Sequence, residues 1–193
     1  MIQLLVASNN LQKIQEMQQL SEMVQFSSYR CMSPEIHVQE TGDTFIANAQ
    51  LKAEKIGSQL NRPVVGDDGG LMLAAFPDLL GVKTARFFVK NSSDSEMNQQ
   101  ILALLQETDN RAFTLNTTLA YYVPQKPLII IEKNLTGTIA QSERGQAGYG
   151  FDTILVPDGY NKTLAELSLQ TRQTLSPRIQ ACQELIKKVK ENV

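Results

Sequence analysis

The residues best equipped for chemistry are Asp67 and Asp68, adjacent carboxylates that close the apolar run Val64-Val65 and precede Gly69 and Gly70. Carboxylate oxygens are hard ligands. One of two neighbours can hold a divalent cation while the other orients a water or a hydrogen-bond network. Val64 and Val65 read as a buried strand that leaves the sheet at the Asp pair, and ligands of open α/β sheets lie at strand ends. The two glycines allow positive φ and close approach of backbone to a ligand. The same stretch also suits an ordinary solvated turn, where Asp and Gly predominate. Its company has to decide.

Three other groupings keep that company. Ser8-Asn9-Asn10 follows an apolar run and precedes a helix whose first turn carries Lys13. The free N–H groups of a helix start suit an anion, though helix capping accounts for the same residues. Thr44, Asn48 and Lys52 recur every four residues and share a helix face just after Glu40, as a ligand wall or as a solvated face. Gly145-Gln146-Ala147-Gly148-Tyr149-Gly150-Phe151-Asp152 combines three glycines, two aromatics and an Asp, which suits a loop that approaches and stacks on a flat ligand. Arg86, inside an apolar segment, either snorkels to the surface or serves an anion. His37 is the only histidine and reads as a surface residue of an exposed strand, so a His-based triad or zinc site has no support.

The elements that must position these residues alternate. Ile2 to Ala7 reads as a buried strand; Leu11, Ile14, Met17, Leu20 and Val24 line one face of the following helix, with Ser8 or Asn9 as its cap. Residues 26–38 read as strand broken at Ser33-Pro34. Asp43 caps a helix over residues 44–60 that buries Phe45, Ala49, Ala53 and Ile56. Residues 95–108 form an amphipathic helix, and residues 111–123 and 128–137 a hairpin assigned to a second lobe. Ser176 caps a terminal helix with Pro177 at its first position; Ile179, Cys182, Ile186 and Val189 form its buried face.

The bulk numbers narrow the class. At 193 residues, 42% hydrophobic and 20% charged, the chain suits one α/β unit with one core or two lobes. A net charge of −2 argues against a surface that coats nucleic acid. Cys31 and Cys182 are isolated, as in a reducing compartment. Residues 1–6 are too short and lack the basic flank of a signal peptide, and no run reaches a membrane span, so a cytoplasmic protein is expected.

Taken in order, these segments resemble the inosine triphosphate pyrophosphatase family almost end to end. Ala7 to Lys13 looks like its first phosphate loop, and Glu40 to Ala49 with Lys52-Ala53 like its E-T-G-x-T-F-x-x-N-A…K-A segment. Gly66 to Leu71 corresponds to A-D-D-S-G-L, Thr84 to Phe87 to S-A-R-Y, and Gly148 to Asp152 with Val156 to Leu167 is the closest block. The resemblance implies a mixed, elongated sheet flanked by helices, with two lobes of a single domain (residues 1–193) around a central nucleotide cleft. It implies Mg²⁺-dependent hydrolysis of noncanonical purine triphosphates such as ITP, dITP and XTP to the monophosphate and pyrophosphate, by a homodimer.

By the same resemblance Asp68 is general base and metal ligand, Glu40 the second metal ligand, and Asp67 and Gly69 their neighbours at the substrate. Ser8, Asn9, Asn10, Lys13 and Lys52 hold the triphosphate; Tyr149, Gly150, Phe151, Asp152, Arg172 and Arg178 hold the nucleoside end. Three positions depart from the family pattern: Gly69 replaces a serine, Pro177 a histidine and Arg172 a lysine. Proline has no side-chain donor or acceptor, so the departures fall on base choice rather than on hydrolysis. Two other classes compete: a nucleotide-binding protein without turnover, and an aspartyl-phosphate enzyme, which lacks its D-x-D spacing.

Overall fold

A computed structural model describes residues 2–20 and 24–191 of the chain. Six strands form one mixed sheet in the order β2-β1-β3-β4-β5-β6. They are β1 (Ile2–Ala7), β2 (Val24–Ser28), β3 (Val64–Leu73), β4 (Ala112–Tyr122), β5 (Ile129–Ile139) and β6 (Leu155–Pro157). Helices α1 (Leu11–Gln18), α2 (Phe45–Leu60), α3 (Thr84–Phe87), α4 (Asp94–Leu104), α5 (Leu169–Leu175) and α6 (Pro177–Glu191) complete the described elements, with three short 3₁₀ turns. β1 pairs in parallel with both β2 and β3, whereas β6 runs antiparallel to β5. The α/β class with a mixed sheet and helices is as expected.

The largest departure lies in β3. The strand does not leave the sheet at the Asp pair; it runs through Asp67, Asp68, Gly69 and Gly70 to Leu73, almost wholly buried. What ends there is β1, whose Ala7 pairs with Gly66. Low strand propensity of Asp and Gly is overridden by packing. A Cβ on Gly66 would lie 1.9 Å from the Ala49 carbonyl oxygen of α2, so glycine is what lets that helix settle on the strand. Neither Gly69 nor Gly70 has positive φ.

Smaller corrections follow from capping and burial. Asn10, not Ser8 or Asn9, caps α1, its side chain accepting from the Gln12 and Lys13 amides at 3.0 and 3.2 Å. Thr44 rather than Asp43 caps α2 through the Ala47 amide. Helix α1 stops at Gln18, Leu11 is exposed, and Val24 already belongs to β2. Beyond Ser28 the expected strand gives way to a 3₁₀ turn, and exposed His37 lies in irregular chain. Helix α4 covers only part of residues 95–108 and is opened by a Ser93–Glu96 capping box. Helix α5 was not foreseen. Arg86 is exposed on α3.

Two compact units share the long strands. The first comprises Met1–Gly69, Thr117–Lys133 and Pro177–Val193, so the hairpin end lies in the same unit as β1 rather than in a second lobe. Its main core joins Leu4, Val6, Met17, Phe26, Val65 and Leu119 to Cys182, Leu185 and Val189 of α6. Each fully buried aliphatic of α6 contributes about 1.5–3 kcal/mol. The second unit, Gly70–Asn116 and Asn134–Ser176, has its own core around Leu71, Leu73, Ile101, Phe113, Ile154 and Leu155. Among the described residues no helix is long and apolar enough to cross a membrane.

Candidate active site

Successive strand residues point to opposite faces of the sheet. Val65 joins the core beneath α6, while Val64 joins Ile56 of α2. Asp67 therefore shares the α6 side and Asp68 the α2 side, and the adjacent carboxylates are two sites rather than one.

On the α6 side, Asp67 is completely buried and takes two cations: Lys13 Nζ on Oδ1 and Arg178 Nε on Oδ2 at 2.9 Å. Arg178 Nη1 also donates to Glu16 Oε2 at 2.8 Å, linking α6 to α1. Burial works against ionisation of Asp67, but Arg178 and Lys13 overcome it and hold the carboxyl far below the usual carboxylate range. Lys13 moves down as well, through burial and the nearness of Arg178 and Lys52, which outweigh Asp67. Asp67 serves two cations and Glu16 adds a second carboxylate through Arg178, so the group carries two charges of each sign.

On the α2 side the stoichiometry inverts. Lys52 Nζ donates to Glu40 Oε1 and Asp68 Oδ1, both at 2.9 Å. Burial, the largest influence, together with Glu40 raises the Asp68 pKa against the attraction of Lys52. Lys52 is raised too, because its two carboxylates outweigh its burial. Asp68 Oδ2 is buried and, among the described residues, has no hydrogen-bond partner. The Glu40 loop is tied to α2 by Asn48, whose Oδ1 accepts from the Gly42 amide at 2.8 Å. The stripe Thr44, Asn48 and Lys52 thus divides its work between a cap, a loop tether and a bridging cation.

The remaining first-unit residues surround the β1–α1 turn. Ser8 Oγ accepts from the Asn10 amide at 3.1 Å, and Asn9 Nδ2 donates to Glu35 Oε1 at 3.1 Å. In the second unit, Gly148 (φ +84°) and Gly150 (φ +64°) adopt a conformation that side-chain-bearing residues rarely hold. A Cβ on Gly148 would strike Asp152 Oδ2 at 1.9 Å. That oxygen accepts from the Tyr149 amide at 3.3 Å and faces Arg172 Nη1 at 3.7 Å. Arg172 Nε is buried, with no hydrogen-bond partner among the described residues. Phe151 packs its ring on Phe88, centroids 5.9 Å apart, within the apolar core.

Within the first unit Lys13, Asp67 and Arg178 come together, and separately Glu40, Lys52 and Asp68; within the second, Tyr149, Asp152 and Arg172 form a group of their own. Glu16 was missed, although its place three residues after Lys13 puts both on one helix face.

The carboxylates and lysines gather at β3 just past the end of its parallel neighbour β1, where open α/β sheets hold their ligands. The Ham1 family model matches residues 4–188, and the chain belongs to that family. It is 33% identical to the dITP/XTP pyrophosphatase of Aquifex aeolicus (strain VF5), across 96% of this chain and 95% of that one. The Ham1 protein of Staphylococcus aureus superimposes with a TM-score of 0.88 at 28% identity, covering 99% of this chain and 100% of the other. A nucleoside-triphosphatase / dITP/XTP pyrophosphatase from Mycobacterium abscessus gives a TM-score of 0.76 at 30% identity, covering 95% and 97%. The resemblance to the inosine triphosphate pyrophosphatases holds.

Proposed function

We propose that this chain is a hydrolase that converts noncanonical purine nucleoside triphosphates, dITP and XTP among them, to the monophosphate and pyrophosphate with Mg²⁺ as cofactor. The observation that carries this reading is the buried, unpartnered Asp68 Oδ2 on a carboxylate that shares one ammonium with Glu40. Two carboxylates around one cation leave negative charge uncompensated, the donor set a hard cation needs. Among the described residues no three His, Cys, Asp or Glu side chains gather as a metal cage. Mg²⁺ fits regardless, since it is commonly held by one or two carboxylates and completes its shell with water and substrate phosphates.

Glu40 and Asp68 would hold the ion, which when bound neutralises phosphate charge. Asp68 accepts the proton of the attacking water. The water oxygen bonds to the α-phosphorus as the bond from that phosphorus to the bridging oxygen breaks, and pyrophosphate leaves. Lys13 and Lys52, with Ser8, Asn9 and Asn10, bind the triphosphate. Asp67 and Gly69 support the phosphate end. Tyr149, Asp152, Arg172 and Arg178 bind the nucleoside, with Gly150 and Phe151 shaping the loop that carries Tyr149 and Asp152; the buried Arg172 Nε, which has no partner among the described residues, favours that role. Pro177 in place of the family histidine removes one polar contact to the base. The single-domain, homodimeric and cytoplasmic readings rest on the family resemblance and the composition.

The test is Mg²⁺-dependent pyrophosphate release across inosine, xanthosine, guanosine, adenosine and pyrimidine triphosphates in ribo and deoxy forms. Release from the inosine and xanthosine forms is expected. Silence across the panel with nucleotide still bound would return the chain to the non-catalytic class.

A further inference from the structure

The Gly145–Asp152 loop is held by a helix that no role has yet involved. Gly150 offers both its backbone polar groups to α4. Its N–H donates to Asp94 Oδ2 at 2.6 Å, and its carbonyl accepts from Asn98 Nδ2 at 3.1 Å. Asp94 and Asn98 stand four residues apart and so share one face of the helix. Asn98 is fully buried and also donates to Thr153 Oγ1 at 2.8 Å, just past the loop. Glu143, just before it, accepts from Ser95 Oγ, Gln99 Nε2 and Thr153 Oγ1 at 2.7, 2.9 and 2.9 Å. The same helix turn thus secures the start, the middle and the end of the loop.

The clamp acts on backbone conformation rather than on space. A Cβ on Gly150 would meet nothing within 4 Å, yet its φ is +64°. A flexible glycine left to solvent would sample many conformations and lose entropy on binding. Here the peptide is fixed beforehand. Tyr149 precedes it, and Asp152, paired with Arg172, follows.

We propose that Asp94 and Asn98 are positioning residues for base selection: by fixing the Gly150 peptide they set the placement of Tyr149 and Asp152 against the purine. This rests on the reading that the loop binds the nucleoside. Preorganisation of this kind bears on binding of the base and its discrimination more than on cleavage of the phosphoanhydride.

The experiment compares Asp94→Ala, Asp94→Asn and Asn98→Ala with wild type. It measures kcat and KM for dITP and dGTP, and Tm. Asp94→Ala should lower the dITP-to-dGTP ratio of kcat/KM by about tenfold, chiefly through KM for dITP. Asp94→Asn, which keeps an acceptor for the Gly150 N–H, should restore the ratio to within about twofold of wild type. Should buried Asn98→Ala fail to fold, the two variants of half-buried Asp94 decide alone. A lowered Tm with the ratio unmoved in Asp94→Ala would reduce these residues to structural supports and overturn the inference. Wild type that releases no pyrophosphate from either nucleotide would instead overturn the pyrophosphatase reading.

Discussion

Asp67 and Asp68 are neighbours in sequence and opposites in chemistry. Asp67 has two cations on one carboxylate, with Glu16 balancing Arg178, and every strong charge in its group is spoken for. Asp68 shares one cation with a second carboxylate and keeps a buried oxygen without a partner. The sheet's two-residue period puts them on opposite faces, so burial, the same force on both, meets different neighbours and produces opposite pKa shifts. The balanced cluster fixes Lys13 and Arg178 in position. An under-compensated one waits for a ligand.

The largest expected effect comes from breaking the saturated side. Asp67→Asn leaves Lys13 and Arg178 partly buried without their shared anion, and thermal or urea unfolding should show a loss of about 3–5 kcal/mol. The next concerns the other side. Millimolar Mg²⁺ with a nucleoside monophosphate should stabilise wild type by up to about 2.7 kcal/mol at a hundredfold excess over Kd. Glu40→Gln should abolish the Mg²⁺-dependent part of that shift.

The smallest effect is the pH dependence, and it has opposite signs for the two residues. Asp67, depressed in the folded state, contributes stability that is complete above its unfolded value of about 3.8 and is lost only as pH falls through its folded value. Asp68, raised in the folded state, favours folding below that same unfolded value, and this contribution is lost as pH rises through the raised one. Metal-free Asp68→Asn should accordingly melt no lower than wild type at neutral pH, with the advantage vanishing in acid. A drop in Tm at neutral pH would contradict the contrast.

What the sequence hid follows from the same physics. The buried faces of α2 and α6 were legible because Phe45, Ala49, Ala53 and Ile56, and Ile179, Cys182 and Val189, repeat at helical spacing. The opposed faces of Asp67 and Asp68 were not, because Asp-Asp-Gly-Gly reads locally as a turn. Only the packing of α2 over Gly66 and cations from distant segments make it a strand. The caps of α1 and α2 were misplaced by one or two residues because neighbouring Ser, Asn, Asp and Thr side chains offer the same oxygen. The link from Asp94 to Gly150 spans 56 positions, and no local pattern announces it. Motif order brought out Glu40, Lys52 and Asp68 together, but their sharing of one ammonium is a fact of three dimensions.

The most direct test of the contrast is Asp68→Asn, assayed for Mg²⁺-dependent pyrophosphate release from dITP, with nucleotide binding and Tm measured on the same preparation. The account predicts turnover reduced by about 10³-fold or more, with the fold intact and nucleotide still bound. Turnover at the wild-type rate in that variant would show that Asp68 is not the reactive carboxylate.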